Sequence, residues 1–156
     1  MIHVRVQGEP LEPHREVDQL RADNPRIGAL VSFIGLMRDI NEGVEVERLF
    51  LEHYPGMTER ALRKIAEEAV RRWDLEGCRV VHRVGKMGPT EPIVVVVAAS
   101  QHRKAAFRGC EFVIDYLKTE APFWKKETTA GGERWVDARL SDDEAKRKWS
   151  ASREHD

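Results

Sequence analysis

The chain of 156 residues has no long hydrophobic run. Its longest apolar segment, residues 93–99, is far shorter than the ~20 residues that a helix needs to cross a bilayer. The β-branched residues of that segment predict a buried strand instead. Residues 1–5 do not resemble the start of a signal peptide, which combines a basic segment with an apolar stretch that follows it. We therefore expect a cytoplasmic protein without a membrane span.

Cysteine is scarce as well, with only Cys78 and Cys110. One pair is no disulfide framework, and no second pair completes a zinc site. Cys78 and His82 resemble half of a metal site, but the segment between them has the pattern of a strand, so a buried thiol is the preferred interpretation. Neither cysteine is expected to be a catalytic thiol, because Cys110 falls on the apolar face of a predicted helix and Cys78 begins a predicted strand.

An excess of positive charge is also lacking. The chain has 26 Lys and Arg against 27 Asp and Glu, a formal net charge of −1. A general nucleic-acid binder needs a positive excess to neutralise phosphates, so nucleic acid is not an expected partner. With 41% hydrophobic and 34% charged residues, the composition is typical of a packed core under a charged surface. The length suits one domain, which we place at residues 1–140, followed by a charged helical tail at 141–156.

Amphipathic patterns predict the helices. Apolar residues recur at helical spacing in residues 57–73, with charged residues on the other face. Ser100 is the expected N-cap of a second long helix, which should end near Thr119 because the residue before Pro122 is biased away from helical angles. A shorter helix is predicted at residues 13–21.

Apolar, β-branched segments predict five strands, at residues 2–6, 28–37, 44–54, 79–84 and 93–99. The segment 28–37 is interpreted as a central strand, in which Gly35 marks a bulge or a close backbone approach. Residues 38–43 and 85–92 are predicted to be loops. Strands and helices mix without a strict βαβ rhythm, so the predicted class is α+β, with two long helices on a largely antiparallel sheet.

Cations mark both ends of the second long helix. His102 and Arg103 fall in its first turn, where backbone N–H groups and the helix dipole attract anions. Their presence there favours a bound anion, and the alternative is two solvated surface residues. Lys118 lies ~24 Å further along the helix, so a site shared with His102 needs another chain or a fold-back. A lysine in the last turn also complements the dipole, which leaves a structural role open.

Residues 123–127 and 134–137 flank a Gly-Gly turn, so a small hairpin is predicted. Lys125 and Lys126 would face opposite sides of the strand, and only one of them can point into a pocket. A lysine held among aromatic rings and other cations has a lowered pKa and is a nucleophile or a general base. The alternative is a solvated edge strand on which lysine blocks edge pairing. Glu127 is a candidate ion-pair partner for either lysine.

Two further residues are assessed from their position. Arg38 follows the predicted strand at 28–37, and its guanidinium suits the bidentate binding of phosphate. The alternative for Arg38 is a loop arginine in water. His82 is interpreted as a strand histidine satisfied by hydrogen bonds rather than as a catalyst.

Several ordered motifs point to one family. They are Gly28-Ala-Leu-Val-Ser-Phe-Ile-Gly35 with Arg38, Leu51-Glu-His-Tyr-Pro-Gly-Met57, His82-Arg-Val-Gly85, Ser100-Gln-His-Arg103, Asp115-Tyr-Leu-Lys118 and Pro122-Phe-Trp-Lys-Lys-Glu127, then Trp135. In these motifs, which extend from the first strand to about residue 139, the chain resembles the family of large, catalytic subunits of molybdopterin synthase. Residues 88–92 depart from the family pattern, which leaves the shape of this turn open.

The resemblance implies an α+β fold of the α/β-hammerhead type and an enzyme of molybdenum cofactor biosynthesis. Such a sulfurtransferase converts cyclic pyranopterin monophosphate into molybdopterin by installing a dithiolene. Each sulfur arrives as a thiocarboxylate on the C-terminal Gly-Gly of a small ubiquitin-like subunit. The large subunits form a homodimer with a small subunit at each end, a heterotetramer, and the sulfur transfer needs no metal or organic cofactor.

Carried over residue by residue, the resemblance makes Lys118 and Lys125 the catalytic lysines. It also implies that Arg38, His102 and Arg103 bind the substrate and that Glu127 supports the site. If a neighbouring copy supplies His102 and Arg103, the ~24 Å along one helix is no obstacle to a shared site.

Three other functions are weighed against this one. The first is a scaffold that keeps the fold and only binds the small subunit. The second, another phosphate- or nucleotide-binding module, is disfavoured because no glycine-rich phosphate loop of standard spacing is present. The third, an RNA binder, is disfavoured because residues 100–127 hold six Lys or Arg against four Asp or Glu.

Overall fold

The computed structural model describes residues 1–22 and 24–136, together with Arg147 and Trp149. In this part of the chain helices and strands are mixed, so the predicted α+β class is confirmed. The helices are α1 (Pro13–Arg21), α2 (Met57–Trp73) and α3 (Arg103–Glu120). The strands are β1 (Ile2–Gln7), β2 (Ala29–Leu36), β3 (Ile40–Asn41), β4 (Val44–His53), β5 (Gly77–Arg83), β6 (Gly85–Met87), β7 (Pro92–Ser100), β8 (Phe123–Thr129) and β9 (Gly132–Val136). None of the described helices is long and apolar enough to span a bilayer.

The first sheet has the order β1–β5–β7–β2, with β1 parallel to β5 and the other neighbours antiparallel. Its strand β7 is buried on both faces, which explains its unbroken apolar sequence. Val94 and Val96 pack into a core with α2 and α3, whereas Val95 and Val97 pack with residues of α1. The helices therefore cover both faces of this sheet.

Strand β2 is at the edge of the first sheet, so its prediction as a central strand is wrong. Phe33, Ile34 and Leu36 keep 37%, 41% and 50% of their surface exposed. The apolar sequence of this segment predicts a strand with a neighbour on each side, but among the described strands only β7 pairs with it. Gly35 does mark both a shift in strand register and a close approach, because a Cβ there would lie 2.9 Å from Val94 Cγ1.

The second sheet has the order β3–β4–β8–β9, and β6 also pairs with β4. The short strands β3 and β6 lie within residues 38–43 and 85–92, so the prediction of simple loops there is wrong. Strands of two and three residues are too short to show a periodic pattern. The two-residue turn at Glu42 and Gly43 has positive φ at both positions, as tight hairpins require.

The predicted hairpin around the Gly-Gly turn is confirmed as β8 and β9, which pair from Lys125 with Val136 to Thr129 with Gly132. It does not stand apart as a subdomain, because β8 pairs along β4 from Val46 to His53. The hairpin is thus part of the second sheet. The hammerhead arrangement stays a prediction.

Helix α3 begins two residues later than expected. Ser100, the expected N-cap, is the last residue of β7, and His102 is the N-cap. The Ser100 hydroxyl oxygen accepts a hydrogen bond from the His102 N–H at 3.3 Å, so it still serves the helix terminus. At the other end Ala121 is extended before Pro122, as predicted.

Trp149 is 1% exposed and belongs to the main core. Its indole makes edge-on contacts with Trp73 and Phe112, and its Nε1–H donates a 2.7 Å hydrogen bond to Asp115 Oδ2. Of the predicted helical tail at 141–156 the structure describes Arg147 and Trp149, both in helical conformation, and the predicted domain boundary at residue 140 lies outside the described residues. Trp149 attaches this part of the chain to α2 and α3.

Candidate active site

A cavity of about 270 Å³ opens where the two sheets meet the C-terminal end of α3. We call it the lysine pocket. Its walls combine apolar side chains with several cations and polar groups. They are formed by Leu36, Met37, Arg38, Ile40, Asn41, Val46, Leu49, Leu51, His82, Ile93, Leu117, Lys118, Phe123, Trp124, Lys125, Glu127 and Val136.

Strand alternation sorts the two adjacent lysines of β8. Lys125 lines the lysine pocket. Lys126 lies elsewhere, with Nζ 3.2 Å from Glu133 Oε2 and 5.4 Å from the centre of the Trp135 ring, which stands opposite it on β9. The prediction that only one of the pair points into a pocket is confirmed.

Lys118 reaches the lysine pocket from the last turn of α3, and Arg38 reaches it from just beyond β2. His102 and Arg103 do not line it, because they sit exposed at the opposite end of α3, ~24 Å away at ~1.5 Å per residue. Within one chain the structure thus brings together three of the five predicted catalytic and substrate-binding residues, and it separates the other two from them.

Glu127 lies in the pocket wall, but it does not pair with a lysine. Its carboxylate is 4% exposed, accepts a hydrogen bond from Asn41 Nδ2 at 2.9 Å and forms an ion pair with Arg134 at 2.9 Å. Arg134 also donates to the Asn41 carbonyl oxygen at 3.0 Å. The expectation that Glu127 pairs with Lys125 or Lys126 is therefore wrong, since residues of β3 and β9 hold its charge instead. Asn41 gave no signal in the sequence, because it lies in a segment that was predicted to be a loop.

His82 forms part of the pocket wall, which sequence reasoning missed. Its Nδ1 donates a 2.8 Å hydrogen bond to the Arg83 carbonyl, as expected for a satisfied strand histidine, and its ring stacks on Phe123 at 3.9 Å. Burial, with smaller contributions from the charges of Lys118 and His53, lowers its pKa to about 3, although the hydrogen bond to the Arg83 carbonyl acts in the opposite direction. The imidazole is therefore neutral at physiological pH. Strand alternation along β5 could have indicated that His82 faces inward, because it places His82 on the same face as the core residue Val80.

We expect the stability of the protein to fall between pH 7 and pH 5 because of His82. The pKa of His82 in the folded state, about 3, lies below its ordinary value of 6.5. As the pH falls below 6.5, His82 takes up a proton in the unfolded chain but stays neutral in the folded chain until the pH approaches 3. The free energy of unfolding therefore decreases progressively over this range. At pH 5 the expected loss is about 2 kcal/mol.

Urea unfolding at the two pH values measures this loss. The variant His82→Phe, which keeps a ring against Phe123, should lose about 2 kcal/mol less than the wild type over the same interval. An equal loss in both proteins would show that His82 is not the group responsible.

A model of the family described as MoaE protein matches residues 6–120. The chain belongs to the MoaE family. A molybdopterin synthase catalytic subunit from Pseudomonas aeruginosa is 56% identical over 146 residues, which are 94% of this chain and 97% of that protein. Another, from Escherichia coli, is 50% identical over 128 residues, 82% of this chain and 85% of that protein. The enzyme family identified from the sequence motifs is confirmed.

Solved MoaE structures share the fold. The molybdopterin biosynthesis MoaE protein from Burkholderia ambifaria has a TM-score of 0.83 at 55% identity and covers 96% of this chain and 99% of its own. Molybdopterin synthase from Staphylococcus aureus has a TM-score of 0.79 at 32% identity, covering 85% and 95%. A complex of subunits 1 and 2 of molybdopterin-converting factor from Helicobacter pylori has a TM-score of 0.72 at 19% identity, covering 87% and 91%, and this likeness shows the fold alone.

In this member of the MoaE family the thiols lie away from the lysine pocket. Cys78 and Cys110 are buried, and neither lines the cavity. Burial raises the pKa of each to about 12, so both are thiols at neutral pH. No group of three or more His, Cys, Asp or Glu among the described residues is arranged to hold a metal ion. The chemistry available in the pocket is that of its lysines, Arg38 and the polar groups around them.

Proposed function

We propose that the chain transfers sulfur from the thiocarboxylated C-terminus of a small ubiquitin-like subunit to cyclic pyranopterin monophosphate. The product is the dithiolene of molybdopterin. The observation that carries the proposal is the convergence of Lys118 from α3 and Lys125 from β8 on one pocket that also holds Arg38. The names of the relatives support the reaction, since those with about half of their residues identical are molybdopterin synthase catalytic subunits.

The pocket suits a reaction between anions. A thiocarboxylate and a phosphate are both negative, and three cationic side chains face one cavity. The thiocarboxylate sulfur attacks a carbon of the pterin side chain, the bond from that carbon to its oxygen substituent breaks, and the oxygen departs with the electron pair, which gives a thioester. Water then attacks the acyl carbon, the bond between the acyl carbon and sulfur breaks, the sulfur stays on the pterin, and the small subunit leaves with a carboxylate. A second thiocarboxylate repeats these steps at the neighbouring carbon, so that two sulfurs form the dithiolene.

The lysines have separate tasks in this scheme. Lys125 stabilises the oxyanion that forms when the acyl carbon becomes tetrahedral. Lys118, when its amine is unprotonated, acts as the base that takes the proton from water, or as a nucleophile that attacks the acyl carbon, releases the pterin thiolate and a proton, and traps the small subunit as an amide. Arg38 binds the phosphate of the pterin. Glu127 supports the site by fixing Asn41 in the pocket wall.

We propose that two copies of the chain form a dimer and that the neighbour supplies His102 and Arg103. The unpaired edge of β2 supports this, because its apolar side chains are exposed and no described strand covers them. Helix α3 begins next to that edge, since Ser100 pairs with Ala29, and Phe107 one turn further on is 61% exposed. A second copy on this face would bury both features and bring His102 and Arg103 to a neighbouring site. With a small subunit on each copy, the assembly is a heterotetramer.

Mixed dimers test the shared site. We expect that His102→Ala and Lys118→Ala homodimers are both defective, while a purified heterodimer of the two regains about half of the wild-type activity from its one intact site. The matched control is the heterodimer of Lys118→Ala with Lys125→Ala, which should regain nothing because both lysines belong to the same copy of the pocket. Equal activity of the two heterodimers would contradict the neighbour's contribution.

The test of the reaction itself is a single turnover with purified components. The chain is mixed with thiocarboxylated small subunit and cyclic pyranopterin monophosphate, and the dithiolene product is followed. Product formation that requires the chain supports the proposal. Binding of the small subunit without any product would contradict it and would identify the chain as a scaffold.

A further inference from the structure

The turn at residues 88–91 is built around the side chain of Glu91. One carboxylate oxygen accepts a hydrogen bond from Arg83 Nη1 at 2.9 Å, and the other accepts one from the Gly88 N–H at 2.5 Å. The Arg83 side chain is buried and also donates to the Lys86 carbonyl at 3.2 Å. The Gly88 N–H and then the Arg83 guanidinium hold the pKa of Glu91 below its ordinary value, so the carboxylate is charged at neutral pH. Glu91 therefore fastens the turn to the end of β5.

The backbone of the same turn holds the residue that precedes Arg38. The Met37 N–H donates to the Glu91 carbonyl at 3.0 Å, and the Thr90 N–H donates to the Met37 carbonyl at 2.9 Å. These two bonds extend the pairing of β2 with β7 past the register shift, up to Met37. The next residue, Arg38, lines the pocket. The direction in which Arg38 leaves the sheet is thus set by the turn.

Backbone strain shows that the turn is held by its surroundings. Thr90 has φ +74°, a left-handed conformation that is costly for a β-branched residue. Such a residue persists only where neighbouring contacts impose it, and strained residues cluster at ligand-binding positions. Thr90 borders a second cavity that Arg38 also lines.

We infer that Glu91 is a positioning residue for Arg38. Its carboxylate closes the 88–91 turn, the turn fixes the Met37 backbone, and the Arg38 guanidinium is thereby presented to the phosphate of the substrate. This inference rests on the proposed function, which makes that phosphate the ligand of Arg38. The inference assigns a role to residues 88–92, whose conformation could not be predicted from the sequence.

A double-mutant cycle tests the inference, with the substrate Kd measured by calorimetry on the purified chain. Glu91→Gln, which removes the charge at nearly constant size, should weaken binding of cyclic pyranopterin monophosphate about tenfold, and Glu91→Asp should restore part of it. In an Arg38→Ala background the same Glu91→Gln change should have no further effect, because the residue it positions is gone. An undiminished tenfold effect in that background would overturn the inference.

Amide hydrogen exchange gives a readout that does not need the substrate. Glu91→Gln should speed the exchange of the Met37 and Thr90 N–H groups about tenfold or more relative to the wild type. Unchanged exchange at Met37 would overturn the inference even if binding weakened. If the wild-type chain fails to bind the pterin at all, the proposed function fails. If the wild type binds and Glu91→Gln binds equally well, only the role of Glu91 fails.

Discussion

Lys118→Ala and Lys125→Ala should each lower the single-turnover rate of dithiolene formation by about a hundredfold or more, or ~2.7 kcal/mol of transition-state stabilisation. The physical reason is that both side chains line one cavity, in which the proposed reaction requires the acyl carbon to become tetrahedral. Loss of Lys125 removes the cation beside the developing oxyanion. Loss of Lys118 removes the candidate base or nucleophile.

The chain contains a matched control for this result. Lys126 is next to Lys125 on β8, but its ammonium lies against Glu133 and Trp135 rather than in the pocket. Lys126→Ala should therefore keep the rate within about twofold of the wild type. A loss as large for Lys126→Ala as for Lys125→Ala would mean that the charge of β8 matters and the pocket does not. All three variants should still bind the small subunit.

Trp149→Ala should lower the free energy of unfolding by about 3–5 kcal/mol. The indole is almost fully buried, makes edge-on contacts with Trp73 and Phe112, and donates a hydrogen bond to Asp115. Its removal leaves a cavity between α2 and α3 and takes one hydrogen-bond donor away from Asp115. Chemical denaturation with urea measures the change.

Trp135→Ala is the control for tryptophan removal as such. Trp135 is 60% exposed on β9, so its loss should change the free energy of unfolding by at most about 0.5–1 kcal/mol. Equal and small effects of the two substitutions would show that Trp149 is not packed in the core. A large effect of Trp149→Ala alone would establish that the C-terminal segment stabilises the helices of the domain.

Elements with strong periodicity could be predicted from the sequence. The pattern at residues 57–73 coincides with α2, and Pro122 ended α3 as predicted. The apolar run at residues 93–99 is a buried strand because its alternate side chains pack into two separate cores, one on each face of the sheet. In each case one chain alone supplies the partners that bury the apolar residues, so local sequence and tertiary structure agree.

Elements that depend on neighbours outside the segment could not be predicted. Apolar sequence at 28–37 indicates burial, but it does not say whether a strand of the same chain or of another copy provides it. The structure places β2 at an edge, with Phe33 and Ile34 exposed. Similarly, β3 and β6 exist because β4 pairs with them, and two or three residues carry no periodic signal of their own.

The candidate site could likewise be predicted only in part. Strand alternation was enough to say that only one of Lys125 and Lys126 faces a pocket. It was not enough to identify Asn41 and Arg134 as the partners of Glu127, because those residues approach from two other strands. The 88–91 turn was also beyond sequence reasoning, since long-range bonds to Arg83 and Met37 define it.

If this chain moves sulfur from the small subunit to the pterin, as proposed, the transfer can be followed on both molecules. After a single turnover, mass spectrometry of the intact small subunit should show its C-terminal sulfur replaced by oxygen. The pterin should gain the same sulfur, and both changes should occur only when the chain is present. A small subunit that keeps its thiocarboxylate, although it and the pterin are both bound to the chain, would show that the chain does not transfer sulfur.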